Sequence, residues 1–252
     1  MKKTKVYVAI PSVGTVSDLM PYAFRQYERE YGDRIEFVYP KHCVQRKFHD
    51  FARNAMVDDF LETDCDILWF LDSDVVPPPH VLDLITKYGE HWELAGAPYP
   101  VFMTPTGHSG PQVVMCVYMA DETGMHAAKV PYSGTGFVDG LATGCIFIKR
   151  EVFAQLEKPY FEFQFDSTSR QLTIGEDLGF CAKVNRLGYK FFTDFDMVCA
   201  HYKTVNLLDV NNYAIEYAQR AVNSYDEEIR PKIEMLKGLL KGKSKSGLIL
   251  PK

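Results

Sequence analysis

Much that would place this chain is missing from it. No Gly-x-Gly-x-x-Gly follows the first apolar run, which disfavours a dinucleotide-binding domain, and no Gly-x-x-x-x-Gly-Lys-Ser/Thr loop joins a strand to a helix, which removes a P-loop NTPase. The six cysteines (Cys43, Cys65, Cys116, Cys145, Cys181, Cys199) include no Cys-x-x-Cys pair. Four of them lie within apolar runs, and buried free thiols in a reducing cytosol are the simplest account. No apolar segment reaches membrane-spanning length. The basic opening Met1-Lys2-Lys3-Thr4-Lys5 runs straight into Val6–Ile10 and lacks the apolar core and cleavage site of a signal peptide. A cytoplasmic protein with no integral membrane segment is the expectation. A cationic excess is absent as well: the net charge is −5, which argues against generic coating of nucleic acid. The charge is uneven, however: from Arg230 to Lys252 seven Lys/Arg stand against one Glu. Such a tail can touch phosphate or an anionic membrane, or fray as a solvated terminus.

What is present is enough apolar sequence, 46% of 252 residues, for one large domain or a domain with an appendage. Val6–Ile10, Ile35–Tyr39 and Ile67–Leu71 read as strands. Helices are expected from Asp18, as a cap, to about Tyr31, from Gln45 to Leu61, and from Pro77 to Tyr88. The second helix would bury a stripe of Phe48, Phe51, Ala52, Ala55, Met56 and Phe60. Three strand–helix units in under a hundred residues predict an α/β, mostly parallel sheet flanked by helices. A turn-rich, antiparallel β-insert follows at about 97–137, then a buried strand within Val138–Ile148. A helix opens at Asp177, buries Cys181, Val184 and Leu187 and stops at Gly188. Tyr189–Thr193 and Met197–Ala200 read as short strands, the second closed by His201. The expected division is a domain over 1–207 and a C-terminal helical segment over 208–252 with a basic, flexible tail.

Chemistry concentrates at three places. Ile67–Leu71 has the continuity of a strand buried on both faces, and it ends in Asp72-Ser73-Asp74. Two carboxylates at the carboxyl edge of an α/β sheet sit where ligands bind, and hard oxygens suit Mg²⁺ or Mn²⁺. Asp-x-Asp alone is equally an ordinary turn. Glu176-Asp177 is the second acidic pair; its bland reading is a complement to a helix dipole. His201 follows an apolar strand end as Asp74 does, and imidazole readily joins carboxylates around a divalent ion. Arg46, Arg53 and Asn54 could face a phosphate or be plain surface residues.

Taken in order, these segments resemble the GT-A glycosyltransferases, in particular the family 2-like group. The resemblance lies in Ala52-Arg53-Asn54 before Ile67–Asp74, in Val138-Asp139 through Thr143-Gly144-Cys145 to Phe153, and in Gly175-Glu176-Asp177-Leu178 followed by Leu187-Gly188-Tyr189-Lys190 and His201. It covers most of residues 5 to 205 but neither the β-insert nor the tail. The resemblance implies a Rossmann-like GT-A fold and transfer of one sugar, of hexosyl type, from a nucleoside-diphosphate sugar to an acceptor hydroxyl. It implies a divalent cation, Mn²⁺ or Mg²⁺, held by Asp74 and His201 with help from Asp72. Pro11, Ser12, Arg46, Asn54, Asp72, Ser73, Thr143 and Gly144 would surround the nucleotide-sugar. Asp177, with Glu176 beside it, would supply the catalytic carboxylate. Processive relatives carry Gln-x-x-Arg-Trp and membrane spans; this chain has neither, which implies single additions. The acceptor could be a carbohydrate, a small molecule or a protein. Compact relatives of phage and bacterial type add a hydroxymethylated DNA base, to which the basic tail lends slight support. A sugar nucleotidyltransferase is the rival class, but Ser12–Val16 is poor in the glycine and basic residues of its loop.

Overall fold

The computed structural model describes residues 2–11, 17–40, 48–103, 112–122, 124–128, 133–204, 207–224, 227 and 229–243. Its strands are β1 (Thr4–Ala9), β2 (Ile35–Val38), β3 (Ile67–Leu71), β4 (Val75–Val76), β5 (Leu94–Gly96), β6 (Pro100–Met103), β7 (Gln112–Met115) and β8 (Val117–Asp121). They continue as β9 (Gly124–Ala127), β10 (Thr135–Val138), β11 (Gly140–Leu141), β12 (Cys145–Lys149), β13 (Gln164–Phe165), β14 (Leu172–Ile174), β15 (Phe191–Asp194) and β16 (Ala200–His201). The α-helices are α1 (Met20–Tyr31), α2 (His49–Leu61), α3 (Asp83–Thr86), α4 (Arg150–Phe153), α5 (Glu176–Arg186), α6 (Leu207–Ser224) and α7 (Arg230–Lys243).

Seven strands form the main sheet in the order β10-β15-β5-β12-β3-β1-β2. The β1–β2, β1–β3 and β5–β15 pairs are parallel, while β12 runs against both β3 and β5, and β10 against β15. Five strands therefore share one direction and leave their carboxyl ends at one edge. β3 is buried throughout because both faces of the sheet are covered, and its side chains alternate between two cores. Ile67, Trp69 and Leu71 join a cluster with Met20, Tyr27 and Tyr31 of α1 and with Leu82 and Leu84. Leu68 and Phe70 join Met56, Val57 and Phe60 of α2 and Phe180, Cys181 and Val184 of α5. The expected fold class holds in its architecture: an α/β, Rossmann-like sheet, mostly parallel and flanked by helices, with small antiparallel pieces and C-terminal helices. Two compact units are discernible, residues 1–102 with 113–203, and residues 103–112 with 204–252. No helix among the described residues is long and apolar enough to cross a membrane. Five cysteines are buried and free; Cys43 lies outside the described residues.

Several local expectations are corrected. Pro77–Tyr88 is not one helix but a 3₁₀ turn (Pro79–Leu82), the single-turn α3 and a second 3₁₀ turn (Gly89–His91). Three consecutive prolines hold the chain extended as far as Pro78, whose ψ is 158°. Asp18 does not cap α1; Leu19 holds the N-cap position without a side-chain bond. α2 buries Ala52, Met56, Val57 and Phe60 but leaves Phe48 and Phe51 exposed. Leu187 is likewise exposed beyond the buried face of α5, which Gly188 terminates at φ +86°. Met197–Cys199 are not strand, and β16 begins only at Ala200.

Candidate functional site

β3 delivers Asp72 to the carboxyl edge, and its neighbours hold the turn that follows. The Asp72 N–H donates to the Gly144 carbonyl (2.9 Å), extending the β3–β12 ladder by one residue, and the Val75 N–H closes back on the Asp72 carbonyl (3.1 Å). Ser73 accepts the Ser17 N–H at its carbonyl (2.8 Å), tying the segment after β1 to the Asp-Ser-Asp turn. Continuing the β1–β3 register places Pro11 level with Asp72. Thr143 is buried. Gly144 has no room for a side chain: a Cβ there would stand 2.7 Å from the Tyr99 ring. Ser12 and Arg46 lie outside the described residues.

Asp74 and His201 are brought together by a two-stranded sheet of two-residue strands. β16 pairs antiparallel with β4, setting His201 opposite Val75, and the Tyr202 N–H donates to the Asp74 carbonyl (2.8 Å). His201 Nε2 then lies 3.6 Å from Asp74 Oδ1. On the far side of the ring, Nδ1–H donates to the Pro100 carbonyl (2.8 Å), which fixes the ring and leaves Nε2 as the nitrogen facing Asp74. Tyr99 braces the imidazole edge-on at 5.0 Å between ring centres. Lys203 adds its ammonium to the other oxygen, Asp74 Oδ2 (2.5 Å). Among the described residues no three His, Cys, Asp or Glu side chains form a metal-binding group. The fit to a cation is therefore that of a half-built site. One carboxylate and one oriented imidazole are in place, hard and borderline donors suited to Mn²⁺, with the remaining positions left to oxygens of a ligand.

Asp72 points elsewhere. Arg53, on α2 and 3% exposed, donates Nη2 to Asp72 Oδ1 (2.9 Å) and sets Nε 3.5 Å from Glu176 Oε1. Burial works against the guanidinium charge, and Asp72 followed by Glu176 outweighs it, so the net shift of Arg53 is upward. Burial pushes the Glu176 carboxyl above its ordinary range; Arg53 opposes this and the charge of Asp177 adds to it. His49 Nδ1 approaches the same Glu176 oxygen (3.7 Å). Asp177, half-buried in the first turn of α5, accepts the Leu178 N–H at Oδ1 (2.8 Å), and its Oδ2 has no hydrogen-bond partner among the described residues. The hydroxyl of Tyr99 is pushed far up, chiefly by burial and then by Asp72, with Asp177 contributing. The Cys116 thiol is pushed up to about 12, again by burial first. Both stay protonated beside the carboxylates.

Asn54 takes no part in this cluster. Its amide donates to the Asp50 and Phe161 carbonyls and accepts the Tyr160 and Phe161 N–H groups, which uses all four of its hydrogen-bonding positions on chain geometry. Arg53, which could have faced a phosphate or lain on the surface, is instead turned inward onto two carboxylates. Tyr99 and Lys203 were not singled out from sequence. Lys203 stands two residues after His201, a spacing that would put both on one side had the strand run on; Tyr99 carried no such signal. A hollow of about 670 Å³ opens at the other end of the strands, lined in part by Thr4, Ile67 and Lys149, and holds none of these residues.

No protein-family profile and no curated protein sequence matches this chain. Among solved structures it is similar to A197 from STIV, with 24% identity and a TM-score of 0.50 over 80% of this chain and 86% of that one. It is also similar to GalNAc-T7, crystallised with UDP, GalNAc and Mn²⁺, with 12% identity and a TM-score of 0.46. That match covers 81% of this chain but 44% of the GalNAc-T7 chain. The A197 likeness is one of fold.

Proposed function

We infer that this chain is a cation-dependent glycosyltransferase, moving one sugar from a nucleoside-diphosphate sugar to an acceptor hydroxyl. The observation that carries the reading is the meeting of Asp74 with an oriented His201 at the carboxyl edge of the sheet, one turn from an Arg53-held Asp72. A bound Mn²⁺ or Mg²⁺ would be held by Asp74 and His201 and would offset the charge that grows on a departing diphosphate. Asp72, oriented by Arg53, faces the nucleoside side, where Pro11, Ser73 and Gly144 border it. Asp177 faces the acceptor: Oδ1 is anchored by the backbone and Oδ2 is available to take the hydroxyl proton. Such a base contributes about 10²–10⁴ in rate. Glu176 serves by position, since its carboxylate is committed to Arg53 and His49.

The test is a screen of UDP-, GDP-, CDP- and dTDP-sugars with Mn²⁺, read by thermal stabilisation and by nucleoside diphosphate release. A donor at about 100 times its Kd stabilises by about 2.7 kcal/mol, which is about 5–11 °C in a domain of this size. Asp74→Asn should remove that shift. Asp177→Asn should keep it while slowing release by about 100-fold or more. No stabilisation and no release with any donor would sink the reading, and full turnover by Asp177→Asn would remove the base from it.

A further inference from the structure

The two carboxylate oxygens of Asp74 face different kinds of side chain. Oδ1 looks toward Nε2 of the His201 imidazole, a side chain able to give a cation a lone pair, while Oδ2 is held by the Lys203 ammonium, a charge with no lone pair to give. Both partners come from one stretch of backbone. The β4–β16 pairing and the Tyr202 N–H bond to the Asp74 carbonyl fix its register, and the side chains on either side of Tyr202 both reach the Asp74 carboxylate. A register that delivers His201 to Asp74 therefore delivers Lys203 with it. The ammonium supplies the positive charge that a divalent ion would bring, at the same carboxylate.

We propose that Lys203 is a built-in competitor for the cation site, so that in the donor-free protein a divalent ion gains Asp74 only by displacing the lysine. This rests on reading Asp74 and His201 as the cation ligands. Two protein ligands leave most of the coordination shell to water, so the ion binds the free protein weakly and one opposing charge is felt. The lysine and aspartate side chains are 56% and 33% exposed, which keeps the pair itself worth little. Adding the repulsion between ammonium and cation, the combined effect on affinity is about 3- to 10-fold.

The experiment measures Mn²⁺ binding to the whole protein without nucleotide, by loss of the free-Mn²⁺ paramagnetic resonance signal and by calorimetry. Wild type, Lys203→Gln, Lys203→Arg and Asp74→Asn are compared at low ionic strength. Lys203→Gln should bind Mn²⁺ about 3- to 10-fold more tightly, Lys203→Arg no more tightly than wild type, and Asp74→Asn not at all. Lys203 is exposed, so unchanged melting of the Gln variant is expected and verifies its fold. Equal affinity in wild type and Lys203→Gln, with binding still lost in Asp74→Asn, overturns the competitor and leaves the cation site standing. Mn²⁺ binding that does not depend on Asp74 in any variant overturns both.

Discussion

Arg53 is the residue on which the candidate site turns, because one buried guanidinium answers two carboxylates from different elements. Removing it strands both charges, of which Glu176 is 9% exposed and Asp72 26% at the side chain. Breaking a buried pair from one side costs about 3–5 kcal/mol. Arg53→Ala should therefore lower Tm by about 6 °C or more, and Arg53→Lys should restore only part of it, since an ammonium cannot fork between Asp72 and Glu176. Thermal melts of the two variants check this. Glu176 gives a second prediction through its pH dependence. Burial raises its folded-state value above the ordinary one of 4.5, so the folded chain keeps this proton at pH values where the unfolded chain has lost it. The stability this contributes is complete below the ordinary value and fades as pH rises through the raised one. Glu176→Gln abolishes the titration, so the variant's Tm relative to wild type should be higher at pH 7 than at pH 4. A flat difference across that range would mean that the carboxyl is not penalised by burial.

At the scale of elements, α2 must be held in place for Arg53 to reach across to β3, and Arg150 holds its far end. Its guanidinium donates to the carbonyls of Phe60 and Leu61 in the last turn of α2 and of Thr63 and Cys65 just beyond it, and lies over the Phe60 ring at 4.5 Å. Arg150→Ala should cost about 2–3 kcal/mol by leaving carbonyls short of a charged donor, measured by urea unfolding with an unchanged m-value. The same element shows where sequence reasoning succeeds. The strand Ile67–Leu71 was legible because burial on both faces writes an unbroken apolar run, and the Asp-Ser-Asp turn after it because nothing apolar follows. α2 was legible as a helix but not in its rotation: Phe48 and Phe51 fit the period yet stay outside, and Val57, absent from the expected stripe, is fully buried. The partners of Arg53 and Asn54 were not legible at all. Residues 53 and 176, or 54 and 161, meet only through tertiary packing, which no local period records. The His201–Asp74 approach was expected from the family resemblance and the ligand chemistry of the two side chains, whereas Lys203 could have been read from its spacing to His201.

For the whole molecule, the division into two compact units sets the expectation for truncation. The sheet, both cores and every described candidate residue lie within residues 1–102 and 113–203. A chain ending at Lys203 should therefore melt in one cooperative transition and keep Asp74-dependent Mn²⁺ binding; loss of that transition would show that the C-terminal helices are needed for the sheet to fold. The two tryptophans give that experiment an unusually clean reporter. Trp69 and Trp92 are both essentially shut off from water, Trp69 lying over Phe147 with ring centres 5.0 Å apart, and the sequence holds no other indole. Both indoles belong to the first unit, whereas far-ultraviolet dichroism sees every helix. Light emitted on heating the full-length chain follows the first unit, and whatever ellipticity is lost ahead of it belongs to the second.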